Sequence, residues 1–589
     1  IRKIIFSGNE NIPDGELRKH ITSQTYFWIF RDGKFDEDTV EADAAAVQNF
    51  IRDEGYLDAR VGYQLDFSDD RRDLTVTFTI AEGRRYYVKD ILFEGNTVFS
   101  SAELSAGLPL EVGAPIVQRK LDLAVKQITD QYGSAGYIDA RVRPTRVFTE
   151  EEGYVRVTFT IDEGTQFHVG RIVVRGNERT QDKVIRRELG LYPGELFDLP
   201  DARESEQRIR DLRLFESASV APVGDEPGVR DVLVNIDEGR KAGNFIFGFG
   251  VTSNSGLVGS IVLDLNNFDI FDTPRSFTEF INRRAFYGAG QRLRIEAQPG
   301  TQLNRFRIDF TEPYLFDKPT RFDYSLYFFE RGRESYNERR IGTTVSFGRR
   351  LQWEKLKDWY GEIAFRLETA RVDSLDLLAP RDVRDDAGSA LLTSVKVSLV
   401  RDRTDSRFLP TTGDRIRLAY EQFGVLGGEF FGQLSGSYTR HFTVATDELE
   451  RKSVLSLKGT GAYVVGDAPV YERYYAGGIG SIRGFQFRGV SPRQGLDDDQ
   501  IGGDFMMLFS SEYSFPLYGK LLRGLLFSDM GTVERNLEIR DWRVAVGTGV
   551  RVQVDFFGPI PLEFDLAVPV LSQQEDDEQV FSFFIGATF

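Results

Sequence analysis

The sequence FSFFIGATF, at residues 581–589, decides the class of fold, because its apolar residues alternate with small or polar ones. Side chains of a β-strand point to opposite faces with a period of two, so one face of this segment is apolar. The residues of that face are Phe581, Phe583, Ile585, Ala587 and Phe589. A strand whose outward face is apolar and whose inward face is small or polar is typical of an outer-membrane β-barrel. The alternative is an edge strand of a soluble β-sandwich.

The composition narrows the class of protein. The chain has 589 residues, 57 Gly, 48 Phe, 23 Tyr and no Cys. This length predicts several domains, and the lack of Cys excludes a disulfide framework and any thiolate metal site. The formal net charge of -17 argues against a nucleic-acid partner. No run approaches the roughly 18 apolar residues of a membrane-spanning helix, so a membrane protein with this sequence has to be a closed barrel.

The N-terminal part of the chain is a threefold repeat. Each repeat opens with an apolar strand that ends in Gly-Asn and closes with an alternating strand that ends in Glu-Gly. The opening segments are IIFSGN (4–9), ILFEGN (91–96) and IVVRGN (172–177), and the closing segments are TFTIAEG (77–83), TFTIDEG (158–164) and VNIDEG (234–239). The first two repeats also share GYLDARV (55–61) and GYIDARV (136–142). Such self-similarity indicates repeated modules, which we place at residues 1–83, 84–164 and 165–240.

The middle of each module is predicted to be helical. In the second module Leu121, Val125, Ile128 and Tyr132 recur at three- and four-residue steps, the spacing of one helix face. The predicted order is strand, helix, helix, strand, strand, which lets two helices cover one face of a sheet and leaves an edge open. An open edge can accept a further strand from a client polypeptide. The alternative is that the modules are only spacers.

Residues 241–589 are predicted to form a 16-stranded antiparallel transmembrane β-barrel. Sixteen alternating segments follow one another, the first at residues 245–251 and the last at 580–589. Bacterial barrels have short periplasmic turns and longer extracellular loops. The long connections of this chain, at 373–390 and 466–503, fall on the predicted outer side, which agrees with that rule. The segment 277–286 does not alternate and is predicted to be a short helix or an irregular insert. The rival architecture is a large soluble all-β protein.

One long loop carries the most distinctive residues of the barrel. It contains YYAGGIGSIRGFQFRGVSP (474–492), which combines five glycines with aromatic residues and Arg483. Glycine permits backbone conformations that other residues avoid, so this loop can fold tightly. We therefore predict that residues 466–503, called the lid loop below, tuck into the barrel lumen. An arginine there needs a carboxylate partner, and Asp529 in FSDMG (527–531) is the candidate.

Together these segments resemble the family of POTRA-plus-barrel proteins, and within it the outer-membrane assembly factors. GSIRGF (480–485) resembles the lid-loop motif of the family, and FSDMGTV (527–533) resembles the strand motif that receives its arginine. RFLPTTGDRI (407–416) resembles a periplasmic turn, and FSFFIGATF resembles the closing strand. The resemblance covers nearly the whole chain.

The resemblance implies that Arg483 pairs with Asp529 and locks the lid loop inside the barrel. The implied lid-loop motif is Gly480, Ser481, Ile482, Arg483, Gly484 and Phe485, and the implied partners are Phe527, Asp529 and Gly531. The assembly factors usually carry five POTRA modules, and this chain shows three. Ile1 already belongs to a strand-like segment without a visible signal peptide. We therefore expect a processed or truncated N-terminus, or a shorter relative.

The implied function is the assembly and insertion of β-barrel proteins into the outer membrane of a Gram-negative-type bacterium. The implied partners are unfolded outer-membrane protein clients, accessory lipoproteins or other assembly subunits, and membrane lipid, with the POTRA modules in the periplasm. One alternative is polypeptide translocation across the outer membrane by a TamA-like or two-partner secretion transporter, and three modules also suit TamA-like proteins. Another is a porin or receptor, which leaves the repeats unexplained.

The first and last strands must pair to close the barrel, and glycine makes that seam weak. Glycine in a strand costs roughly 0.5–1 kcal/mol per site, so the seam is predicted to open sideways and admit a client strand. The predicted seam residues are Phe245, Phe247, Gly248, Phe249, Gly250, Phe581, Phe583, Ile585 and Phe589.

An enzyme is not predicted, and no cofactor and no metal site are expected. His20, His168 and His441 have no metal-ligand spacing, and no nucleophile motif or phosphate-binding loop is present. The acidic runs at 497–499 and 575–578 fall in predicted outer loops. Calcium binding is one interpretation of these runs, and solvated loops facing the exterior are the favoured one.

Overall fold

The computed structural model describes residues 1–26, 33–239, 243–276, 278–279, 285–407, 409–447, 451–518, 521–553 and 562–588. It divides into an N-terminal unit, Ile1–Gly239, and a C-terminal unit that begins at Arg240. The two units are described separately.

The N-terminal unit contains three modules with the same order of elements. The first is β1 (Lys3–Ser7), α1 (Asp14–Arg18), α2 (Glu37–Asp53), β2 (Arg60–Phe67) and β3 (Leu74–Ala81). The second is β4 (Tyr87–Glu94), α3 (Ser101–Ser105), α4 (Gln118–Ser134), β5 (Arg141–Phe148) and β6 (Tyr154–Asp162). The third is β7 (His168–Arg175), α5 (Asp182–Arg186), α6 (Leu199–Asp211), β8 (Ser217–Val223) and β9 (Val229–Asp237). The predicted order of strand, two helices and two strands is confirmed.

The last strand of each module lies in the middle of its sheet. The sheet orders are β1-β3-β2, β4-β6-β5 and β7-β9-β8, with the first pair of each parallel and the second antiparallel. Apolar residues of the longer helix pack on one face of the sheet. In the first module Val47 and Ile51 of α2 share a core with Val76 and Phe78 of β3, and all four are fully buried. Because the last strand is central, the two edges of each sheet are formed by the first strand, β1, β4 or β7, and by the second strand, β2, β5 or β8.

The recurrent Gly-Asn and Glu-Gly motifs meet at one end of each module. In the first module the Glu82 carboxylate accepts the N–H groups of Asn11 and Ile12, at 3.0 and 3.1 Å. Glu163 and Glu238 bind N–H groups of the equivalent loops in the second and third modules. The motifs recur because each Glu satisfies the backbone of the loop that follows the first strand.

The first two modules are joined to the next module by the same backbone contact. The N–H of Tyr86 donates to the oxygen of Gly55, and the N–H of Phe167 donates to the oxygen of Gly136, each at 2.9 Å. Gly136 has a φ of +88°, and a Cβ there would lie 2.9 Å from the Phe167 oxygen. Both accepting glycines open the GYLDARV and GYIDARV heptapeptides.

The same heptapeptides supply an apolar contact across each joint. Leu57 packs against the core of the second module, and Ile138 packs against the core of the third. The heptapeptides are joints between modules, which explains why the third repeat lacks one.

The C-terminal unit is a closed barrel of sixteen antiparallel strands, as predicted. The strands are β10 (Asn244–Thr252), β11 (Gly256–Phe268), β12 (Tyr287–Gln298), β13 (Leu303–Glu312), β14 (Arg321–Gly332), β15 (Asn337–Arg350), β16 (Trp359–Asp373), β17 (Gly388–Asp402), β18 (Gly413–Phe423), β19 (Phe431–Thr446), β20 (Lys452–Gly466), β24 (Phe505–Tyr518), β25 (Leu522–Glu534), β26 (Arg543–Val552), β27 (Leu562–Leu571) and β29 (Phe581–Thr588).

Short elements occupy some of the connections between barrel strands. A helix, α7 (Arg381–Asp385), follows β16, and 3-10 turns lie at Leu315–Asp317 and Glu354–Leu356. Two-residue strands pair as β21 (Gly484–Phe485) with β28 (Glu578–Gln579), and as β22 (Arg493–Gln494) with β23 (Asp499–Gln500). The predicted insert at 277–286 lies mostly outside the described residues.

Side chains alternate across the barrel wall as the sequence pattern predicts. On β10 the outward Phe245, Phe247 and Phe249 are between 52% and 60% exposed. Charged residues such as Glu368 point inward and are buried. None of the helices in the described part of the chain is long and apolar enough to cross a lipid bilayer.

Candidate functional site: the lid loop and the strand seam

Arg483 is held by carboxylates of the barrel wall. Its Nε donates to Oδ2 of Asp529 at 2.6 Å, and its Nη2 donates to Oδ1 at 3.0 Å. Its Nη1 donates to Oε2 of Glu512 at 2.8 Å and lies 3.5 Å from Asp565. Asp529 lies on β25, Glu512 on β24 and Asp565 on β27. The structure thus brings together Arg483 and Asp529, the two residues that the resemblance pairs, in the two-point geometry that suits a guanidinium.

The neighbours of Arg483 leave little room around its side chain. The guanidinium carbon lies 3.4 Å from the ring centre of Phe527, a cation–π contact. Gly484 has a φ of +94°, and a Cβ there would lie 3.2 Å from the Cβ of Ala545 and 3.4 Å from that of Ala567. A larger residue at 484 would therefore push the lid loop away from the wall.

The remaining motif residues shape the loop on either side of the arginine. Ile482 and Phe485 are fully buried and pack with Val490 and Val533. Ser481 follows Gly480 in the turn, and its hydroxyl accepts the N–H of Gly477 at 2.9 Å. Gly531 lies two residues beyond Asp529 on the same strand.

Glu472 fixes the start of the lid loop to a different part of the wall. Its carboxylate lies 2.6 Å from Nη1 of Arg340 and 3.3 Å from Nη2 of Arg366. Arg340 also donates to the oxygen of Tyr471 at 2.6 Å and to Glu368 at 3.2 Å. The sequence analysis missed these residues, because β15, β16 and the lid loop are far apart along the chain. The only local signal was the inward placement of charged residues on predicted strands.

The lid loop also pairs with the segment that leads into the last strand. Gly484 and Phe485 pair with Gln579 and Glu578 as short strands. The N–H of Gln486 then donates to the oxygen of Asp577 at 2.7 Å. The lid loop is therefore part of a small sheet with residues 577–579, which continue into β29.

The acidic run at 575–578 was predicted to be solvated, and this is wrong for its central residues. Asp576 is ion-paired with Arg543 of β26 at 2.9 Å, and the side chains are 1% and 7% exposed. The Asp577 carboxylate binds Arg493 and Gln500 of the lid loop. Two arginines from other parts of the barrel thus neutralise residues that look solvated in the local sequence. In the other run, at 497–499, Asp497 and Asp498 are exposed as predicted, whereas Asp499 is buried.

The seam between the first and last strands is short. β10 pairs with β29 from Gly248 opposite Thr588 to Thr252 opposite Phe584. β10 pairs with β11 along its whole length, from Asn244 to Thr252. Among the described residues, the first part of β10, residues 244–247, therefore pairs with β11 but not with β29. The register also places Gly250 opposite Gly586, so no side chains pair there.

The predicted seam residues divide between the two faces and the two strands. Phe245 and Phe247 precede the part of β10 that pairs with β29, and Phe249 lies within that part. On β29, Ile585 pairs with Val251, whereas Phe581 and Phe583 pair with β27. Phe589 lies outside the described residues. The outer end is closed by Ser253, whose N–H donates to the oxygen of Phe583 at 3.2 Å and whose hydroxyl accepts the N–H of Phe583 at 3.0 Å.

The lid loop contacts both sides of the outer end of the seam. Asn254, at the tip of the β10–β11 hairpin, donates to the oxygen of Ile479 at 3.2 Å. Arg331 of β14 binds the oxygen of Asn254 and lies 4.1 Å from the ring centre of Phe487. On the other side, residues 577–579 pair with the lid loop as described above. The lid loop therefore bridges the first hairpin and the last strand.

The turn between β17 and β18 is built around a carboxylate. Asp405 accepts the hydroxyl and N–H groups of Thr411 and the N–H of Thr412. Burial by itself raises the pKa of Asp405, but these hydrogen bonds outweigh it and lower the pKa to about 2. Thr411 and Thr412 belong to the predicted periplasmic-turn motif at 407–416, of which Phe408 lies outside the described residues.

The three histidines lie in separate elements. His20 stacks on Phe50 of α2, His168 begins β7, and His441 of β19 shares a hydrogen bond with Ser456 at 2.8 Å. The described ranges hold no group of three His, Cys, Asp or Glu residues placed to bind a metal ion.

Comparison with family models identifies the two parts of the chain. The Omp85 superfamily domain matches residues 285–589, and the POTRA model, described as a surface antigen variable number repeat, matches residues 1–83, 86–164 and 167–239. The chain belongs to the Omp85 superfamily. This membership confirms the resemblance to POTRA-plus-barrel proteins. As a member of the Omp85 superfamily, the protein lies in the outer membrane with its POTRA modules in the periplasm.

Other members of the superfamily are similar over most of the chain. The outer membrane protein assembly factor BamA of Nitratidesulfovibrio vulgaris is 26% identical over 608 residues, which cover 100% of this chain and 73% of that protein. The crystal structure of BamA from Haemophilus ducreyi lacking POTRA domains 1-3 has a TM-score of 0.64 at 20% identity, covering 86% of this chain and 100% of that one. CdiB from Acinetobacter baumannii has a TM-score of 0.51 at 14% identity, covering 86% and 91%. At these identities the two solved structures show the fold alone.

Proposed function

We propose that this protein assembles and inserts β-barrel proteins into the outer membrane. The proposal is carried by the short seam between β10 and β29, in which only Gly248–Thr252 of β10 pair with β29 among the described residues. The similarity of this protein, over its whole chain, to an outer membrane protein assembly factor supports the same function. The clients are unfolded outer-membrane proteins, and other assembly subunits are expected as partners.

The seam serves as the place where a client strand enters. Among the described residues, residues 244–247 of β10 already lack pairing on the side that faces β29. Backbone groups left open there cannot be satisfied by lipid, but an added strand satisfies them. Separation of β10 from β29 exposes more of this edge, and a client strand extends the sheet.

The lid loop holds the seam closed at its outer end. It is fixed to the wall through Arg483 and Glu472 and bridges Asn254 and residues 577–579. Full opening of the seam therefore requires the lid loop to release one of these contacts. The POTRA modules receive the client first, through the open edges of their sheets.

A disulfide across the seam tests lateral opening. The natural chain contains no Cys, so Val251→Cys with Ile585→Cys introduces one pair, at positions that face each other in the ladder. In cells depleted of the natural protein, we expect this variant to support outer-membrane protein assembly when reduced and to lose that support when oxidised. The measurement is the amount of folded outer-membrane proteins in the two states.

A control variant keeps one cysteine and moves the other away from the seam. Val251→Cys with Leu257→Cys forms a pair inside the β10–β11 hairpin, which stays intact when the seam opens. We expect it to function in both redox states. Full function of the oxidised seam variant would contradict lateral opening. Loss of a single secreted protein on depletion, with other outer-membrane proteins unchanged, would favour the translocation alternative.

A further inference from the structure

Three arginines lie close together at the outer end of the barrel lumen. Arg331 is on β14, Arg333 follows β14 in the loop to β15, and Arg488 belongs to the lid loop. The charges of Arg333 and Arg488 both act on Arg331, so the three guanidinium groups repel one another. Burial lowers the pKa of Arg333, and the charge of Arg488 lowers it further. Such a gathering of like charges is unfavourable unless something neutralises it.

Carboxylates of the protein do not neutralise this cluster. Within the described ranges, neither Arg331 nor Arg488 forms an ion pair with a carboxylate. Arg333 donates to Glu338 at 2.8 and 2.5 Å. Glu338 also accepts from Arg340 at 2.6 Å, so one buried carboxylate serves two arginines. The cluster therefore keeps an excess of positive charge in a chain whose formal net charge is -17.

Arg488 is held in a way that leaves its N–H groups available. Its guanidinium carbon lies 3.6 Å from the ring centre of Tyr475, a contact that uses the face of the guanidinium and leaves its rim open. No side-chain or backbone group of the described residues accepts a hydrogen bond from this guanidinium. The backbone of Arg488 has a φ of +67°, which is strained for a residue other than Gly. Strained conformations of this kind are concentrated at ligand-binding sites.

A buried hydroxyl group lies beside the cluster. Tyr336 is 4% exposed, and its hydroxyl has no hydrogen-bond partner in the part of the chain that the structure describes. Tyr336 interacts electrostatically with both Arg333 and Tyr475, which locates it next to the arginines. Buried polar groups are nearly always hydrogen-bonded, so an orphaned one indicates an additional binding partner. A tyrosine hydroxyl can donate its hydrogen to an anion that the arginines attract.

We propose that Arg331, Arg333 and Arg488, together with the hydroxyl of Tyr336, bind a phosphate monoester or inorganic phosphate. Guanidinium groups match phosphate, because their planar N–H groups bind two of its oxygens at once and they stay charged at physiological pH. The phosphate belongs either to a soluble ion or to a lipid headgroup that enters at the outer end of the seam. This inference goes beyond the proposed function, because it concerns a ligand of the lid loop and not its clients.

A bound phosphate would fasten the lid loop to the first half of the barrel. Arg488 is part of the lid loop, whereas Arg331 is part of the wall and binds the oxygen of Asn254 at the tip of the first hairpin. An anion between the two arginines replaces their repulsion by two attractions. Occupancy of the site should therefore favour the inserted lid loop.

Calorimetric titration of the full chain in detergent with inorganic phosphate, at low ionic strength, measures the binding. Arg488→Ala and Arg331→Ala should each lower the affinity about tenfold to hundredfold, the effect of lost charge-assisted hydrogen bonds. Tyr336→Phe keeps the buried ring and removes only the orphaned hydroxyl, and it should lower the affinity about fivefold. Arg440→Ala is the matched control, because Arg440 lies over the ring of Phe442, at 4.9 Å, and has no ion pair among the described residues. It should leave the affinity unchanged.

Spin labels measure the effect of phosphate on the lid loop. The natural chain has no Cys, so Gln486→Cys in the lid loop and Gln302→Cys in the β12–β13 loop accept one label each, at exposed positions. Phosphate should narrow the distribution of distances between the labels, and chloride at the same ionic strength should not. Adding Arg488→Ala should abolish the narrowing.

Two bilayer compositions distinguish the sources of the phosphate. The chain is titrated in nanodiscs that contain phosphatidic acid, a monoester, and in nanodiscs of matched surface charge that contain phosphatidylglycerol, a diester. A weaker apparent affinity for free phosphate in the first assigns the site to a lipid headgroup, and equal affinities assign it to the soluble ion.

Three results would overturn the inference. The first is that phosphate does not bind the natural chain in detergent. The second is that Arg488→Ala and Tyr336→Phe bind phosphate as tightly as the Arg440→Ala control does. The third is a label distribution that responds equally to phosphate and to chloride.

Discussion

Replacing Arg483 by Ala should release the lid loop from the barrel wall. The change removes three side-chain hydrogen bonds, two to Asp529 and one to Glu512, and the contact with Phe527. It also leaves the Asp529 carboxylate, 1% exposed, without its guanidinium. Breaking a buried ion pair by removing one partner costs about 3–5 kcal/mol. At 1.36 kcal/mol per factor of ten, the open population of the lid loop should rise by about two to four powers of ten.

Proteolysis measures that population directly. Trypsin cleavage after Arg488, in the middle of the lid loop, requires the loop to leave the lumen, and its rate follows the open population when reclosing is fast. The double-mutant cycle with Asp529→Ala isolates the pairwise contribution, since residues in contact show non-additive effects. Arg381→Ala is the matched control, because its ion pair with Asp385 joins side chains that are 80% and 65% exposed. Such exposed pairs contribute about 0–1 kcal/mol.

The reasoning fails if the two substitutions act independently. Effects of Arg483→Ala and Asp529→Ala that add within about 0.5 kcal/mol would show that the pair does not hold the loop. A cleavage rate at Arg488 that matches the Arg381→Ala control would show the same.

Two further predictions concern the turn at Asp405 and the joints between modules. The lowered pKa of Asp405 stabilises the folded barrel above its usual pKa of 3.8, and this contribution is lost as the pH falls toward 2. The melting temperature should fall over this interval, whereas Asp405→Asn should start lower at neutral pH and show a smaller decline; equal pH profiles would contradict the assignment. Gly136→Val should loosen the second joint and broaden the distribution of distances between spin labels on the second and third modules, because a Cβ at 136 meets the next module. Gly113→Val is its control, since Gly113 has a similar φ of +83° with no atom within 4 Å, and an equal broadening there would refute the role of the joint.

The sequence predicted the elements of the fold because each depends on a local pattern. Period-two alternation located sixteen strands, and the repeated motifs located three modules of the confirmed order. The pairing of Arg483 with Asp529 followed from two motifs read together, and the structure places them in contact. Their role in assembly stays a prediction.

Contacts between distant segments were not predictable in the same way. The ion pairs of Glu472 with Arg340 and Arg366 join segments more than one hundred residues apart, and nothing in the sequence near any of them marks a partner. The acidic run at 575–578 was misinterpreted for the same reason, because Arg543 and Arg493 neutralise it from other elements. The heptapeptide joints carried a usable signal, namely their absence from the third repeat.

The way in which the last strand is held indicates the order in which the seam opens. Residues 581–584 of β29 pair with β27, and residues 584–588 pair with β10. The lid loop contacts Asn254 and residues 577–579, and neither contact lies within the pairing of residues 584–588 with β10. A client strand can therefore replace the pairing of residues 584–588 with β10 before any contact of the lid loop breaks. We infer that Arg483 resists only the later release of the outer end, so Arg483→Ala should change the extent of opening more than the entry of the first client strand.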